Sequence, residues 1–311
     1  MNGAFKHFVL FISIIALLAA CDGNNHNRQN DGNNENLKIA ASFYTIYDFT
    51  KQIVKDRAEV ELLVPAQVSP HHWEPAPKDL KNIQQADLFI YSSEYFETWI
   101  EKIEKSMQNH DIQFVKAAEG IELIEEKETD HHGHRHKHQL DPHVWLSPVY
   151  AQQLVKNIAD AIIEIDPDNA GFYEKNRDNY LEQLKQLDNA FRNSLKETSK
   201  QTFVTEHQAF GYLAHEYGLE EISIAGLTPS HEPSASQLAK LKQFLQQEKI
   251  EVIYIDHLSN AEIAHTLANE AGVKIERLST LEGLTKEQQE QGLDYIEIMK
   301  QNLIALEKSL K

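Results

Sequence analysis

Leu37-Lys38-Ile39-Ala40-Ala41-Ser42-Phe43, a β-like run, is followed by helically spaced apolar residues from Ile46 to Val54 and by a second β-like run from Ala58 to Val64. This strand–helix–strand unit sets the reading of the whole chain. Pro77 to Gln85 predicts a helix and Asp87-Leu88-Phe89-Ile90-Tyr91 a third strand. Phe96 to Gln108 keeps helical spacing, and Ile112 to Val115 makes a fourth strand. Strands alternating with amphipathic helices imply a mainly parallel sheet with helices on both faces. Ligands of such sheets sit at the carboxyl ends of the strands.

The second half repeats the scheme. Strands are predicted at Thr202–Thr205, Ile250–Asp256 and Val273–Leu278. Helices are predicted from a Ser234 cap to about Glu248, from Asn260 to Ala271 with Gly272 as the stop, and from Thr285 to the C-terminus. Between the halves, Ser147-Pro148 and Asp166-Pro167 each offer a cap followed by proline at the first helical position. From Asp168 onward Tyr173, Tyr180, Leu184, Leu187, Phe191 and Leu195 fall three, four or seven apart. They predict a helix of roughly thirty residues, about 45 Å long. The fold class is therefore α/β, with two lobes joined by a stiff spine helix. The expected division is residues 37–165 for the N-terminal lobe, 166–198 for the linking helix and 199–311 for the C-terminal lobe.

The N-terminus reads as an address. Lys6 and His7 precede an almost wholly apolar run from Phe8 to Ala20, shorter than the ~20 apolar residues of a membrane span. Residues 1–20 have the length and order of a secretory signal. Small residues then lead to Cys21, the chain's only cysteine, which resembles the lipid-attachment site of bacterial lipoproteins. A lone cysteine permits no internal disulfide. Residues 21–36 hold no apolar side chain after that cysteine and read as a disordered tether. The expectation is an exported protein, hung by a lipid from the outer face of the cytoplasmic membrane or in the periplasm. Thirty basic against 48 acidic residues give a net charge of −18, which argues against nucleic acid and against docking on anionic lipid.

Three separate stretches each present a histidine framed by turn and aromatic residues: Pro70-His71-His72-Trp73-Glu74-Pro75, Asp141-Pro142-His143-Val144-Trp145 and Thr205-Glu206-His207-Gln208-Ala209-Phe210-Gly211. Imidazole is the commonest protein ligand of zinc and its neighbours, and three such ligands are the usual count for an open zinc site. Proline before the histidine fixes the local backbone. Trp73 and Trp145 are placed either to wall such a site or to fill the core. Glu74, Asp141 and Glu206 are near enough to accept an imidazole's far N–H. A run at 130–138 adds His131, His132, His134, His136 and His138 among glycine and basic residues, a composition that no packed core can use.

A further stretch, Ile224-Ala225-Gly226-Leu227-Thr228-Pro229-Ser230-His231-Glu232-Pro233-Ser234, joins these motifs in the same order along the chain. The set, over residues 37 to 311, resembles the zinc-binding solute receptors of ABC transporters, a cluster that also contains manganese receptors and streptococcal surface lipoproteins. The resemblance implies two α/β lobes with the metal held in the cleft between them. It implies His71 rather than His72, with His143 and His207, as ligands of Zn2+. Imidazole at 207 favours zinc, since manganese prefers oxygen. It implies a fourth ligand from Leu281-Glu282-Gly283, with Asp256 as the competing carboxylate and water as a third option. The histidine-rich run is then an auxiliary loop that captures zinc for the main site. The implied partner is the membrane permease of an ABC transporter, served by a monomer. A manganese receptor, a zinc hydrolase and a surface adhesin are the alternatives. No His-Glu-x-x-His signature supports a hydrolase. Because only neutral imidazole ligates, affinity is expected to fall as pH drops through about 6.5.

Overall fold

Two parallel four-stranded sheets built to one plan organise the chain, and the computed structural model describes it over residues 36–125, 139–228, 233–259 and 261–311. The signal segment, Cys21, nearly all of the tether and the histidine-rich run from His131 to His138 lie outside the described residues. The N-terminal lobe runs β1 (Leu37–Ala41), α1 (Tyr44–Val54), β2 (Ala58–Leu62), α2 (Pro77–Gln84), β3 (Leu88–Tyr91), α3 (Ile100–Ser106) and β4 (Gln113–Lys116). Two further helices follow, α4 (Pro148–Ile165) and α5 (Ala170–Leu195). The C-terminal lobe then runs β5 (Thr202–His207), α6 (Gly211–Tyr217), β6 (Glu220–Ala225), α7 (Ala235–Gln247), β7 (Val252–Ile255), α8 (Glu262–Ala271) and β8 (Lys274–Arg277), closing with α9 (Lys286–Glu290) and α10 (Tyr295–Leu310).

The strand orders are β2-β1-β3-β4 and β6-β5-β7-β8, with every neighbouring pair parallel. Parallel neighbours need a crossover, which the intervening helices supply. In each sheet the chain reverses its direction of travel beside the first strand, so a crevice opens at the carboxyl ends there. All four residues of β3 are buried, as expected of an inner parallel strand covered on both faces.

The predicted spine is present as α5, 26 residues and about 39 Å long. Its buried residues are Tyr173, Tyr180, Leu184, Leu187, Phe191 and Leu195, the series read from the spacing. Tyr180 reaches Asp48 of α1 (3.3 Å) and Asn176 holds the carbonyl of Ile53 (2.9 Å). Tyr217 of α6 reaches back to Asp188 on the same helix (3.1 Å). One apolar cluster joins Ile39 and Phe49 of the first lobe through Tyr180, Leu184 and Phe191 to Phe203, Leu278 and Met299 of the second. The lobes therefore share a core rather than meeting across a wet hinge.

Several local expectations change. β6 and α6 join the C-terminal lobe, where the sequence predicts only three strands. Glu220-Glu221-Ile222-Ser223-Ile224-Ala225 alternates, but two leading glutamates mask the signal. The last helix is broken: Gly292 takes φ 66° between α9 and α10, and Asp294 caps the new start by accepting from the Glu297 N–H. Ser147 occupies the cap position of α4, yet its hydroxyl makes no capping bond, and Pro148 alone sets the start. Ser234 does cap α7, accepting from the Gln237 N–H (3.3 Å) while the Gln237 side chain accepts from the Ser234 N–H (2.8 Å). Among the described residues no helix is long and apolar enough to cross a membrane.

Candidate metal centre

Each of four side chains is delivered by a different segment at or beyond a strand's carboxyl end. His71 lies in a single 3-10 turn, Pro70–His72, after β2, with the Trp73 N–H closing onto the Pro70 carbonyl (3.2 Å). His143 lies after β4, immediately before another such turn, Val144–Leu146. His207 is the last residue of β5 itself. Glu282 sits on the segment between β8 and α9. These four, drawn from both lobes, form the one His/Asp/Glu cluster of metal-holding geometry among the described residues, with ligand atoms all within 4.8 Å of one another.

Glu282 Oε1 is the hub. It stands 3.1 Å from His71 Nε2 and 3.7 Å from both His143 Nε2 and His207 Nε2. The ring centroids are 5.5 to 5.7 Å apart. Zinc bonds of roughly 2.0–2.2 Å in tetrahedral array put ligand atoms about 3.3 Å apart. The three distances from Glu282 to the imidazoles match that spacing to within a few tenths of an ångström. His143 Nε2 and His207 Nε2 are buried and have no hydrogen-bond partner. Buried polar atoms are seldom left so; two of them aimed at one carboxylate mark a place for a cation.

Asp141 holds His143 from behind. Its Oδ1 accepts the ring Nδ1–H (2.8 Å) and the backbone N–H (2.9 Å) of His143. In the neutral ring that fixes the tautomer, with the Nε2 lone pair facing the cluster. A Cβ on Gly211 would stand 2.7 Å from Asp141 Oδ2, so glycine there makes room for the carboxylate. Tyr212, next along, donates to the Asp141 carbonyl (2.7 Å).

The charges favour a cation as well. Burial alone would raise the Glu282 carboxyl, but the charge and hydrogen bond of His71, with His143 and His207 close by, hold it well below the usual carboxylate range. Burial pushes His71 below its ordinary value, against the opposing pull of Glu282. At His143 burial also works downward, yet the hydrogen bond to Asp141 and the nearby Glu282 carboxylate outweigh it and carry the ring up to about 9.

The other residues singled out by sequence go elsewhere. Asp256, the competing carboxylate, is outside the cluster. Its Oδ2 accepts from the Thr280 N–H (2.9 Å) and hydroxyl (3.0 Å), and its Oδ1 accepts from the Leu258 N–H (2.7 Å). It clamps the base of the Glu282 segment instead of facing the histidines. His72 and Glu74 are exposed. Glu206 accepts from the Ser259 hydroxyl and the Asp256 N–H. Trp145 walls the site: it is fully buried, with its ring 5.3 Å from that of His143 and its Nε1–H donating to the Thr280 carbonyl (2.8 Å). Trp73 packs on Trp99 (5.4 Å) and lies half-buried against both the main core and a second apolar cluster. Sequence reasoning missed Gly211, Gly283 and Glu221, whose roles depend on contacts made only in the folded chain.

A family model described as "Zinc-uptake complex component A periplasmic" matches residues 39–309. The chain belongs to the ZnuA family. A relative from Bacillus subtilis (strain 168), the high-affinity zinc uptake system protein ZnuA, is 52% identical over 299 residues, covering 94% of each chain. The zinc-binding lipoprotein AdcA of Streptococcus pneumoniae is 42% identical over 310 residues, which span 98% of this chain and 61% of that protein. Among solved structures, the metal-dependent lipoprotein YcdH of B. subtilis superposes with a TM-score of 0.76 at 53% identity, covering 88% of this chain and 99% of that one. The Zn(II)-bound ZnuA-like domain of S. pneumoniae AdcA gives 0.77 at 40% identity, covering 89% and 99%. The ZnuA family is one of uptake components, not of enzymes.

Proposed function

We propose that this protein is a high-affinity extracytoplasmic receptor that binds one Zn2+ through His71, His143, His207 and Glu282 and delivers it to the membrane subunit of an ABC permease. The observation that carries the reading is the pair of buried, unpartnered Nε2 atoms of His143 and His207, converging with His71 on one ionised carboxylate. Three neutral imidazoles favour zinc over manganese. Four protein ligands complete a tetrahedral shell, whereas catalytic zinc keeps a position for water. Asp141 brings a second negative charge behind His143, so the ion, Glu282 and Asp141 together balance. In keeping with the zinc-uptake relatives, zinc here is cargo, held reversibly.

The same reading places the protein outside the cytoplasm as a monomer, tethered through a lipid on Cys21, with the histidine-rich run at 130–138 gathering zinc for the cleft. Competition against a chelator of known affinity tests the core of it. The expected result is one tight, reversible equivalent of zinc, with manganese bound far more weakly. A preference for manganese, or tight zinc binding that survives loss of His143 and Glu282, overturns it. Deleting residues 130–138 should leave the tight equivalent intact and impair uptake only when zinc is scarce. Unaltered uptake at scarce zinc removes the gathering role.

A further inference from the structure

We infer that Glu282, although it follows the last strand of the C-terminal sheet, is carried by the N-terminal lobe, so that the four ligands divide three against one. His71, His143 and Glu282 ride on one body and His207 alone on the other. This rests on the ligand reading above and adds how the cleft lets its ion go.

The hydrogen bonds of the segment from Thr280 to Tyr295 show the division. The Trp145 Nε1–H donates to the Thr280 carbonyl (2.8 Å), and the Thr45 hydroxyl donates to the Leu281 carbonyl (2.7 Å). The Leu284 N–H donates to the Ala66 carbonyl (2.7 Å). The Tyr44 hydroxyl donates to the Leu293 carbonyl (3.2 Å), and the Tyr295 hydroxyl donates to the Trp145 carbonyl (2.6 Å). Every one of these partners precedes α4. The ties to the C-terminal lobe stop short of Glu282: Asp256 takes the N–H and hydroxyl of Thr280, Asn302 pairs with Ser279, and the Leu281 N–H donates to the Ser279 hydroxyl (3.2 Å). The line between the lobes therefore falls just before Glu282.

Two backbone features hold that seam. Leu281 takes φ 56°, a left-handed conformation that a branched side chain adopts only where its surroundings fix it. A Cβ on Gly283 would run into the Ala66 carbonyl oxygen and stand 2.8 Å from Leu258 Cδ1. Only glycine lets the segment lie so close to the N-terminal lobe.

His207 has none of these ties. It ends β5, paired in register with Ala225 of β6, and moves with the C-terminal sheet. A small displacement of that sheet would withdraw His207 first and leave the ion on two imidazoles and a carboxylate, with one position open to an incoming ligand. Release would then begin at the C-terminal lobe.

Two matched substitutions test this. Thr45→Val and Thr280→Val each delete one hydroxyl hydrogen bond of the segment, the first to the N-terminal lobe and the second to the C-terminal lobe. The readout is the zinc dissociation rate in a stopped-flow chase with a chromophoric chelator, using the full chain. Thr45→Val should speed release about tenfold, the worth of one buried hydrogen bond, and Thr280→Val by less than about twofold. Thr45→Ser should restore the original rate. In a Glu282→Ala background Thr45→Val should add nothing, while in His207→Ala it should keep its full effect. Equal effects of the two valines, the opposite ranking, or full additivity with Glu282→Ala overturns the inference. If Thr45→Val does not fold, Tyr44→Phe cuts the Leu293 tie instead, and an unchanged release rate there overturns the inference equally. Zinc binding untouched by Glu282→Ala alone would instead remove the ligand assignment on which the inference stands.

Discussion

In the N-terminal lobe the buried carboxylate of Glu97 accepts the N–H groups of Ser92 (2.9 Å) and Ser93 (3.0 Å) and the hydroxyl of Ser42 (2.6 Å). In the C-terminal lobe Glu221 accepts the N–H groups of Ala209 (3.2 Å) and Phe210 (3.0 Å) and the hydroxyl of Thr205 (2.7 Å). Each lobe thus uses one glutamate to tie two consecutive amides and a hydroxyl at the carboxyl end of its sheet. Burial raises both carboxyls to about 7, against the pull of those hydrogen bonds. The difference lies in what is tied. Glu97 fixes the turn that carries Phe96, whose ring lies 5.2 Å from that of His71 and 5.9 Å from that of His143. Glu221 grips the chain on both sides of His207. The N-terminal histidines each follow a proline, and Asp141 holds one of them; His207 is set by a carboxylate that holds Thr205 before it and Ala209 after it. Position is built into the loop in one lobe and imposed from a neighbouring strand in the other.

The largest effect should separate the lobes. His143→Ala removes a ligand and leaves the Asp141 carboxylate buried without its ring, so zinc affinity should fall roughly a hundredfold to a thousandfold. His207→Ala removes a ligand and strands no charge, so its loss should be smaller, as measured by chelator competition. The reverse order would mean that Asp141 does not support His143. Asp141→Asn should weaken zinc about ten- to a hundredfold, the usual range for a partner behind a metal-bound histidine.

The proton on His143 gives the next test. Its ring is raised to about 9 in the metal-free site, so near neutral pH it is mostly imidazolium, and zinc must expel one proton. Lowering the pH favours the protonated, metal-free form. Affinity should therefore fall about tenfold per pH unit from about 9 downward, well above the value of about 6.5 expected of an ordinary histidine. Calorimetry in buffers of different ionisation enthalpy should show about one proton released at about pH 7.5. A pH-independent affinity between about 8.5 and about 6.5 would contradict this.

Glu221→Gln and Glu97→Gln sharpen the comparison further. Each sets an amide NH2 against backbone donors and should destabilise the fold by about 1–3 kcal/mol in thermal or denaturant melts. Zinc affinity should drop roughly tenfold for Glu221→Gln and no more than about twofold for Glu97→Gln. Equal losses would erase the distinction between the lobes. His72→Ala, beside a ligand yet exposed, should leave binding within about twofold.

What the sequence disclosed follows from where each signal is stored. Alternation of strands with helices, and the buried series from Tyr173 to Leu195, are local periodicities and are readable from Leu37 to Leu195. β6 is not, because Glu220 and Glu221 open it with charge; Glu221 is there to bind a loop eleven and twelve residues behind it. The histidine motifs single out His143 and His207 as candidates, and the family resemblance separates His71 from His72; the fold brings these three rings together. Glu282 against Asp256 stays open in sequence, since both follow strands of the same sheet. Only the folded chain shows Asp256 spent on Thr280 and Leu258 while Glu282 faces the three rings. Gly283 and Gly211 carry no local signature, because their need for a bare Cα comes from Ala66 and Asp141, far away in sequence.

The most direct measurement is a crystal structure of the protein loaded with one equivalent of zinc, with anomalous data collected at the zinc edge. One strong peak should lie about 2.0–2.2 Å from Nε2 of His71, His143 and His207 and from a Glu282 oxygen, with Asp256 still on Thr280. A first equivalent bound at Asp256, or on the 131–138 histidines with the cleft unliganded, would contradict the account.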